Sequence, residues 1–383
     1  MIQPFYYNEI MSDNEKRSYK PDWTPENHGD EFAIRVVKGV EEKYNPVPVK
    51  HFRKKSFTKE ELVEGVISND RNRLAKTITL IESTSIHHQA RAKDILAALL
   101  PHSGDSVRIG ISGVPGAGKS TLIESLGMYL IGLGHKVAVL TVDPSSSISN
   151  GSILGDKTRM ENLSRNPACF IRPSASGGTL GGVARKTREA ITVCEAAGYD
   201  VILVETVGVG QSEITVRSMV DFFLLVLIPG GGDELQGMKK GVMEICDAIL
   251  INKADGENFK KAQMAKAEYS AALHYLYPST EGWESKAYTA SALSGEGIPE
   301  LWSVVEDFTL NTKLSGVFNK RRRSQNVEWV EFMIKDYLYD SFFRNTEIAH
   351  MFGEMKEKLL NGEIIPSTAF DSLKESWLKK NRE

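Results

Sequence analysis

The chain has 383 residues, 41% of them hydrophobic and 25% charged, enough to bury a large core and to hold more than one substructure. Lys and Arg number 47 against 50 Asp and Glu, and a net charge of −3 gives no electrostatic case for nucleic acid or an anionic membrane as partner. The three cysteines, Cys169, Cys194 and Cys246, lie far apart with no C-x-x-C. That pattern argues against a disulfide scaffold or a cysteine-based zinc site and suits a reducing compartment.

Residues 1–56 are polar and punctuated by Pro4, Pro21, Pro25, Pro46 and Pro48, and read as an extended or partly disordered arm. Glu9, Asp13, Glu15, Asp22, Glu26 and Asp30 within it are unlike a secretory signal or an acid-poor transit peptide, so the expected location is cytoplasmic. A helical region follows over 57–104. Thr58 and Glu61 form a capping box opening a helix over Lys59–Ile67. A second helix is expected over Arg71–Glu82 and a third over Ser85–Leu100, stopped by Pro101. His87 and His88 are adjacent on that helix and do not share a face, which favours a surface or core role over joint metal ligation.

Over 105–311 strands and helices alternate. The expected strands are Val107–Ser112, Lys136–Asp143, Cys169–Arg172, Val201–Glu205, Phe222–Ile228, Ala248–Asn252 and Ala287–Thr289, with helices between most of them, for example Gly182–Ala197 and Asn258–Leu276. Near-continuous apolar strands in such alternation predict an α/β phosphate-loop NTPase fold: a mostly parallel sheet with helices on both faces, flanked by N-terminal and C-terminal helical extensions. The longest apolar run, Phe222–Ile228, is too short to span a bilayer. Residues 312–383 turn helical again. Val327, Val330, Ile334, Tyr337, Leu338 and Ser341 trace one stripe at helical spacing, while Trp329 and Phe332 lie off it. A helix apolar on two sides fits packing against a second subunit; packing on its own domain alone is the other reading. The basic runs Lys50–Lys55 and Lys320–Arg323 read as solvated or interface faces rather than nucleic-acid sites.

The chemistry concentrates at the carboxyl ends of the strands, where open α/β sheets bind ligands. Gly113-Val114-Pro115-Gly116-Ala117-Gly118-Lys119-Ser120 follows a strand and, with Thr121, opens a helix, the context a phosphate-binding loop needs. Its glycines let backbone N–H groups curl around phosphate oxygens at a helix N-terminus. Lys119 can reach the outer phosphates, and the Ser120 hydroxyl can ligate Mg²⁺. Asn252-Lys253-Ala254-Asp255 selects the base. The Asp255 carboxylate can accept hydrogens from the guanine N1–H and N2 amine, which adenine lacks. Ser291-Ala292-Leu293 resembles the base-backing loop of GTPases, whose N–H groups face guanine O6.

Between these, an apolar strand delivers Glu205 and then Gly208. In phosphate-loop proteins such an acid holds the Mg²⁺ shell, and the Gly N–H senses the γ-phosphate. Asp143 and Asp156 are further candidate metal acids, Asp156 also a catalytic one beside Lys119, Glu205 and Gly208. A helix cap or surface ion pair explains a lone acid as well, and the sequence does not separate these. Where many GTPases carry a water-orienting Gln after the switch Gly, this chain has Val209, so slow unassisted hydrolysis with partner stimulation is expected.

Four longer stretches together carry a family resemblance: Val142-Asp143-Pro-Ser-Ser-Ser147, Glu205-Thr-Val-Gly-Val-Gly-Gln-Ser-Glu213, Gly232-Asp233-Glu234-Leu235-Gln236-Gly237-Met-Lys239-Lys240-Gly241 and Asn252-Lys-Ala-Asp-Gly256. The chain resembles the MeaB/ArgK type of GTPase, the methylmalonyl-CoA mutase-associated chaperones. They belong to the wider metal-and-cofactor-delivery GTPases marked by Glu-x-x-Gly, and the resemblance runs from about Thr58 to about Tyr339. It implies GTP/GDP and Mg²⁺ as ligands and a homodimer built through C-terminal helices. It also implies a cobalamin-dependent acyl-CoA mutase as partner, methylmalonyl-CoA mutase by default, with GTP hydrolysis gating adenosylcobalamin loading and reactivation. Asp233, Glu234, Gln236, Lys239 and Lys240 fall in what the resemblance makes a partner-touching switch loop. The naming of some relatives as amino-acid transport kinases or ATPases conflicts with Asn252–Asp255. Two other readings are a small-molecule phosphotransferase, for which no acceptor pocket is evident, and a nickel-delivery maturation GTPase, which would need clustered Cys or His.

Overall fold

In the computed structural model, residues 57–83, 85–142, 160–173, 180–206, 212–230 and 240–380 are described. Three helices open this body: α1 (Lys59–Ile67), α2 (Arg71–Glu82) and α3 (Ile86–Leu99). The Thr58–Glu61 capping box forms, with Glu61 N–H donating to Thr58 Oγ1 at 3.1 Å and Thr58 N–H to Glu61 Oε2 at 2.8 Å. Asp70 caps α2 by accepting from the Asn72 and Arg73 N–H groups. The third helix stops one residue earlier than its apolar pattern predicts. Pro101, which lacks an N–H, diverts Leu100–His102 into a 3₁₀ turn.

The α/β part follows as β1 (Val107–Gly113), α4 (Lys119–Gly132), β2 (Val137–Val142), α5 (Glu161–Arg165), β3 (Cys169–Arg172), α6 (Leu180–Ala196), β4 (Val201–Thr206) and α7 (Ser212–Arg217). It continues with β5 (Phe222–Leu227), α8 (Lys240–Ile245), β6 (Ala248–Ile251), α9 (Asn258–His274), β7 (Lys286–Thr289) and α10 (Ile298–Leu314). The strands form one seven-stranded sheet in the order β3-β2-β4-β1-β5-β6-β7. Every pairing is parallel. Successive side chains point to opposite faces, and both faces are buried. Ala138, Leu140, Ile202, Val204, Phe223 and Leu225 join a core with α1–α3, α6, α7 and α9. Val137, Val139, Val201, Leu203, Phe222 and Leu224 join a second core with α4, α5 and α10. Double burial is why these strands read as continuous apolar runs instead of alternating ones.

After α10 the chain forms α11 (Val317–Phe343), α12 (Thr346–Leu360) and α13 (Pro366–Lys380). The first half of α11 is locked to the body, and here the basic run corrects its sequence reading. Arg322 grips Asp221 through Nε at 2.8 Å and a terminal nitrogen at 2.7 Å, and also donates to the Gly104 and Ser106 carbonyls. Arg321 donates to the Asp221 carbonyl and to Thr280 Oγ1, and faces Asp247 at 3.6 Å. Only Lys320 and Arg323 of the run are exposed. Charge periodicity could not reveal this, because the acids that hold Arg322 and Arg321 lie about a hundred and about seventy residues upstream in the chain.

Candidate functional site

β1 ends inside the sheet, and the loop after it turns sharply under the ends of its neighbours. Gly113 has φ +153°, and a Cβ there would collide with the Val226 carbonyl oxygen of β5. Gly118 has φ +83° and caps α4, and a Cβ there would lie 2.7 Å from Asn252 Nδ2. Gly113 is thus required by close backbone approach and Gly118 by the close Asn252 side chain, as well as by dihedral freedom. α4 starts at Lys119, so its unpaired N–H groups and positive dipole end face the loop. That cradle fits a phosphate.

Lys119 is 8% exposed. Its Nζ donates to the Gly113 carbonyl at 2.9 Å and the Val114 carbonyl at 3.3 Å, which folds the side chain back over the loop. Burial holds its pKa below the usual lysine value, and the charges of Glu205 and Glu213 pull it back up. Ser120 Oγ donates to Glu205 Oε1 at 3.1 Å. Glu205 comes from the end of β4, where it lies in register with Ile111 of β1 and Thr141 of β2, and it is 5% exposed. Two residues 85 positions apart, both expected around Mg²⁺, therefore meet as neighbouring oxygens. Behind them Thr206 Oγ1 donates to Ser112 Oγ at 3.0 Å.

Asn252 joins the phosphate loop to the base loop. Its Nδ2 donates to the Ala117 carbonyl at 2.7 Å, and its Oδ1 accepts from Ala292 N–H at 3.1 Å. Lys253 adopts φ 60°, a left-handed conformation that costs roughly 1–2 kcal/mol for an L-residue. Its stem then lies over the loop, with Cε 3.9 Å from where a Gly118 Cβ would be. Ser291 Oγ donates to Asp255 Oδ2, which orients that carboxylate. The Ser291 N–H is spent on the Glu296 carbonyl at 2.9 Å and the Ala292 N–H on Asn252. Two of the three N–H groups of the Ser291–Leu293 loop are therefore engaged within the protein, and Leu293 stands 86% exposed at the rim.

Asp143, Asp156, Gly208, Asp233, Glu234, Gln236 and Lys239 lie outside the described residues, as does the arm over 1–56. Lys240 opens α8, but its side chain is also outside them. Pro115, Gly116 and Thr121 lie with the rest of the loop motif around the α4 start. One acid went unremarked in the sequence reading of the site. Glu213, in the first turn of α7, is 6% exposed and acts on the Lys119 charge. The available signal was an acid opening the helix that follows the Gly208 segment.

Residues 74–347 match the family model described as methylmalonyl Co-A mutase-associated GTPase MeaB. The chain belongs to the MeaB family. It is 48% identical over 318 residues to a probable GTPase of Mycobacterium tuberculosis, covering 83% of this chain and 95% of that protein. It is 42% identical over 332 residues to the mouse methylmalonic aciduria type A homolog, a mitochondrial protein, covering 84% and 80% respectively. Among solved structures, the LAO/AO transport system kinase superposes with a TM-score of 0.70 at 38% identity, over 84% of this chain and 98% of that one. As a MeaB-family protein the chain is a GTPase whose ligand is guanine nucleotide. No helix among its described residues is long and apolar enough to cross a membrane.

Proposed function

We propose that this MeaB-family GTPase is a chaperone of a cobalamin-dependent acyl-CoA mutase, methylmalonyl-CoA mutase by default. In this reading, GTP binding and hydrolysis gate adenosylcobalamin loading and the rescue of inactivated mutase. The observation that carries it is Glu205. This is the acid of the Glu-x-x-Gly mark that separates cofactor-delivery GTPases from the Asp-bearing majority, and its carboxylate lies 3.1 Å from the phosphate-loop hydroxyl of Ser120.

The residues divide the work as follows. Gly113–Thr121 cradle the phosphates, and Lys119 exchanges its contacts with the loop carbonyls for phosphate oxygens. Asn252, Lys253 and Asp255, with Ser291, Ala292 and Leu293, hold and select guanine. Ser120, Glu205, Asp143 and Asp156 are the oxygen donors for Mg²⁺, which when bound neutralises charge developing on the transferred phosphoryl group. Gly208 reports the γ-phosphate, and Asp233, Glu234, Gln236, Lys239 and Lys240 carry that state to the mutase. With Val209 in place of a water-orienting Gln, hydrolysis is slow until a partner completes the site.

The protein works as a homodimer through its C-terminal helices. On α11 one face holds Arg322, Gln325 and Trp329 against the body. The opposite face presents Val327, Val330, Ile334 and Leu338, each about half exposed or more. A four-residue apolar stripe on the far side of an anchored helix is what a second α11 would cover.

The test is GTP turnover measured with and without each available cobalamin mutase. Stimulation of about tenfold or more by one mutase, with a stable complex, is the expected result. Absence of both stimulation and complex with every such mutase would reject the chaperone reading and leave the GTPase intact.

A further inference from the structure

A cavity of about 560 Å³ opens between α8, α9 and β7. Its walls come from just before β6 and from the start of β7, the opposite end of these strands from Asn252 and Ser291. It is therefore separate from the nucleotide site. The volume falls within the range of small-molecule sites, roughly 300–1,000 Å³.

The lining is divided by chemistry. Met243, Cys246 and Leu273 form an apolar floor, and the last two are buried. Burial pushes the Cys246 thiol up to about 12, so the floor carries no charge. The mouth is cationic. Lys266 and Lys286 stand around it with a single carboxylate, Glu284, which is already paired with Lys286 at 3.4 Å. Among the described residues Lys266 has no carboxylate partner. An ammonium beside an apolar concavity with no protein counter-ion matches a ligand carrying an anionic head on an apolar body. A cationic or neutral-polar ligand would forfeit one or both halves of the site.

We propose that this cavity binds a small organic anion, its head group at Lys266 and Lys286 and its apolar body on Met243 and Leu273. The experiment uses the full chain and calorimetric titration with octanoate, octyl phosphate and octylamine. At least one of the two anions should bind at a single saturable site, and octylamine should not. Lys266→Glu should weaken that binding at least tenfold, and Ser270→Trp, which fills the cavity from its rim, should abolish it. Both positions are on the surface of α9, and GTP affinity should be unchanged in both variants, which also reports that they fold. Failure of both anions to bind, equal binding of octylamine, or binding indifferent to both substitutions would each overturn the proposal.

Discussion

Replacing Asp255 with Ala tests the guanine reading most directly. The carboxylate is positioned by Ser291 Oγ, and the residue is partly rather than fully buried. Two hydrogen bonds from guanine to a carboxylate contribute roughly 1.5–3 kcal/mol each, and water access at a half-buried site favours the low end. The loss is then about 3 kcal/mol, or roughly 150-fold in GTP affinity. ATP makes neither bond, so its affinity should change by less than about threefold, and GTP-over-ATP discrimination should fall by nearly the full factor. Displacement of a fluorescent GTP analogue by GTP and by ATP measures both quantities in one assay. Ser291→Ala leaves the carboxylate in place but unrestrained, and should cost about tenfold, the value of one ordinary hydrogen bond. Discrimination unchanged in Asp255→Ala would refute the reasoning. A larger loss in Ser291→Ala than in Asp255→Ala would refute the assignment of Ser291 as the orienting partner.

Three further outcomes are expected. Arg322→Ala leaves the buried Asp221 carboxylate with the Arg108 N–H but without its ion-pair partner and should destabilise the fold by about 3 kcal/mol in urea unfolding, whereas Lys320→Ala, which breaks an exposed pair with Glu281, should cost under about 0.5 kcal/mol. Ile334→Glu places a charge on the apolar stripe of α11 and should shift the protein toward monomer in sedimentation velocity; unassisted GTP turnover per chain should be unchanged. Burial raises the thiols of Cys169 and Cys246 from 9.0 to about 12, and that of Cys194 upward as well. The folded protein should therefore be silent to a thiol reagent at pH 8 and should react at three sites once denatured. A folded pKa above the unfolded one makes these thiols stabilising below pH 9, and that contribution drains away as pH rises from 9 towards 12. A melting temperature that rises across that window in the wild type, or that declines as steeply in Cys169→Ala as in the wild type, would contradict it.

Much was legible in the chain because the signals are local. A Gly-rich turn between an apolar strand and a helix reads as a phosphate loop, since the three parts are consecutive and each obeys its own short-range rule. The capping box at Thr58, the parallel sheet and the Asn252–Asp255 loop are of the same kind. The reading of Lys320–Arg323 as a solvated or interface face missed the buried pairing of Arg321 and Arg322 for the opposite reason: the acids that neutralise these two are remote in sequence, and composition cannot see across that gap. Glu213 was overlooked because an isolated acid in a first turn looks like a helix cap until folding buries it near Lys119.

What the sequence determined by itself was the vocabulary of the site: which residues can hold phosphate, metal and guanine, and the order in which the strands deliver them. Tertiary structure alone decided how these groups meet. Glu205 reaches Ser120 because β4 is inserted between β1 and β2, a strand order that no local signal encodes. Asn252 ties Ala117 to Ala292 because β6 lies one strand beyond β5, on the far side of β1. Hydrogen bonds act over about 3 Å whatever the separation along the chain, so their partners become known only once the sheet is assembled.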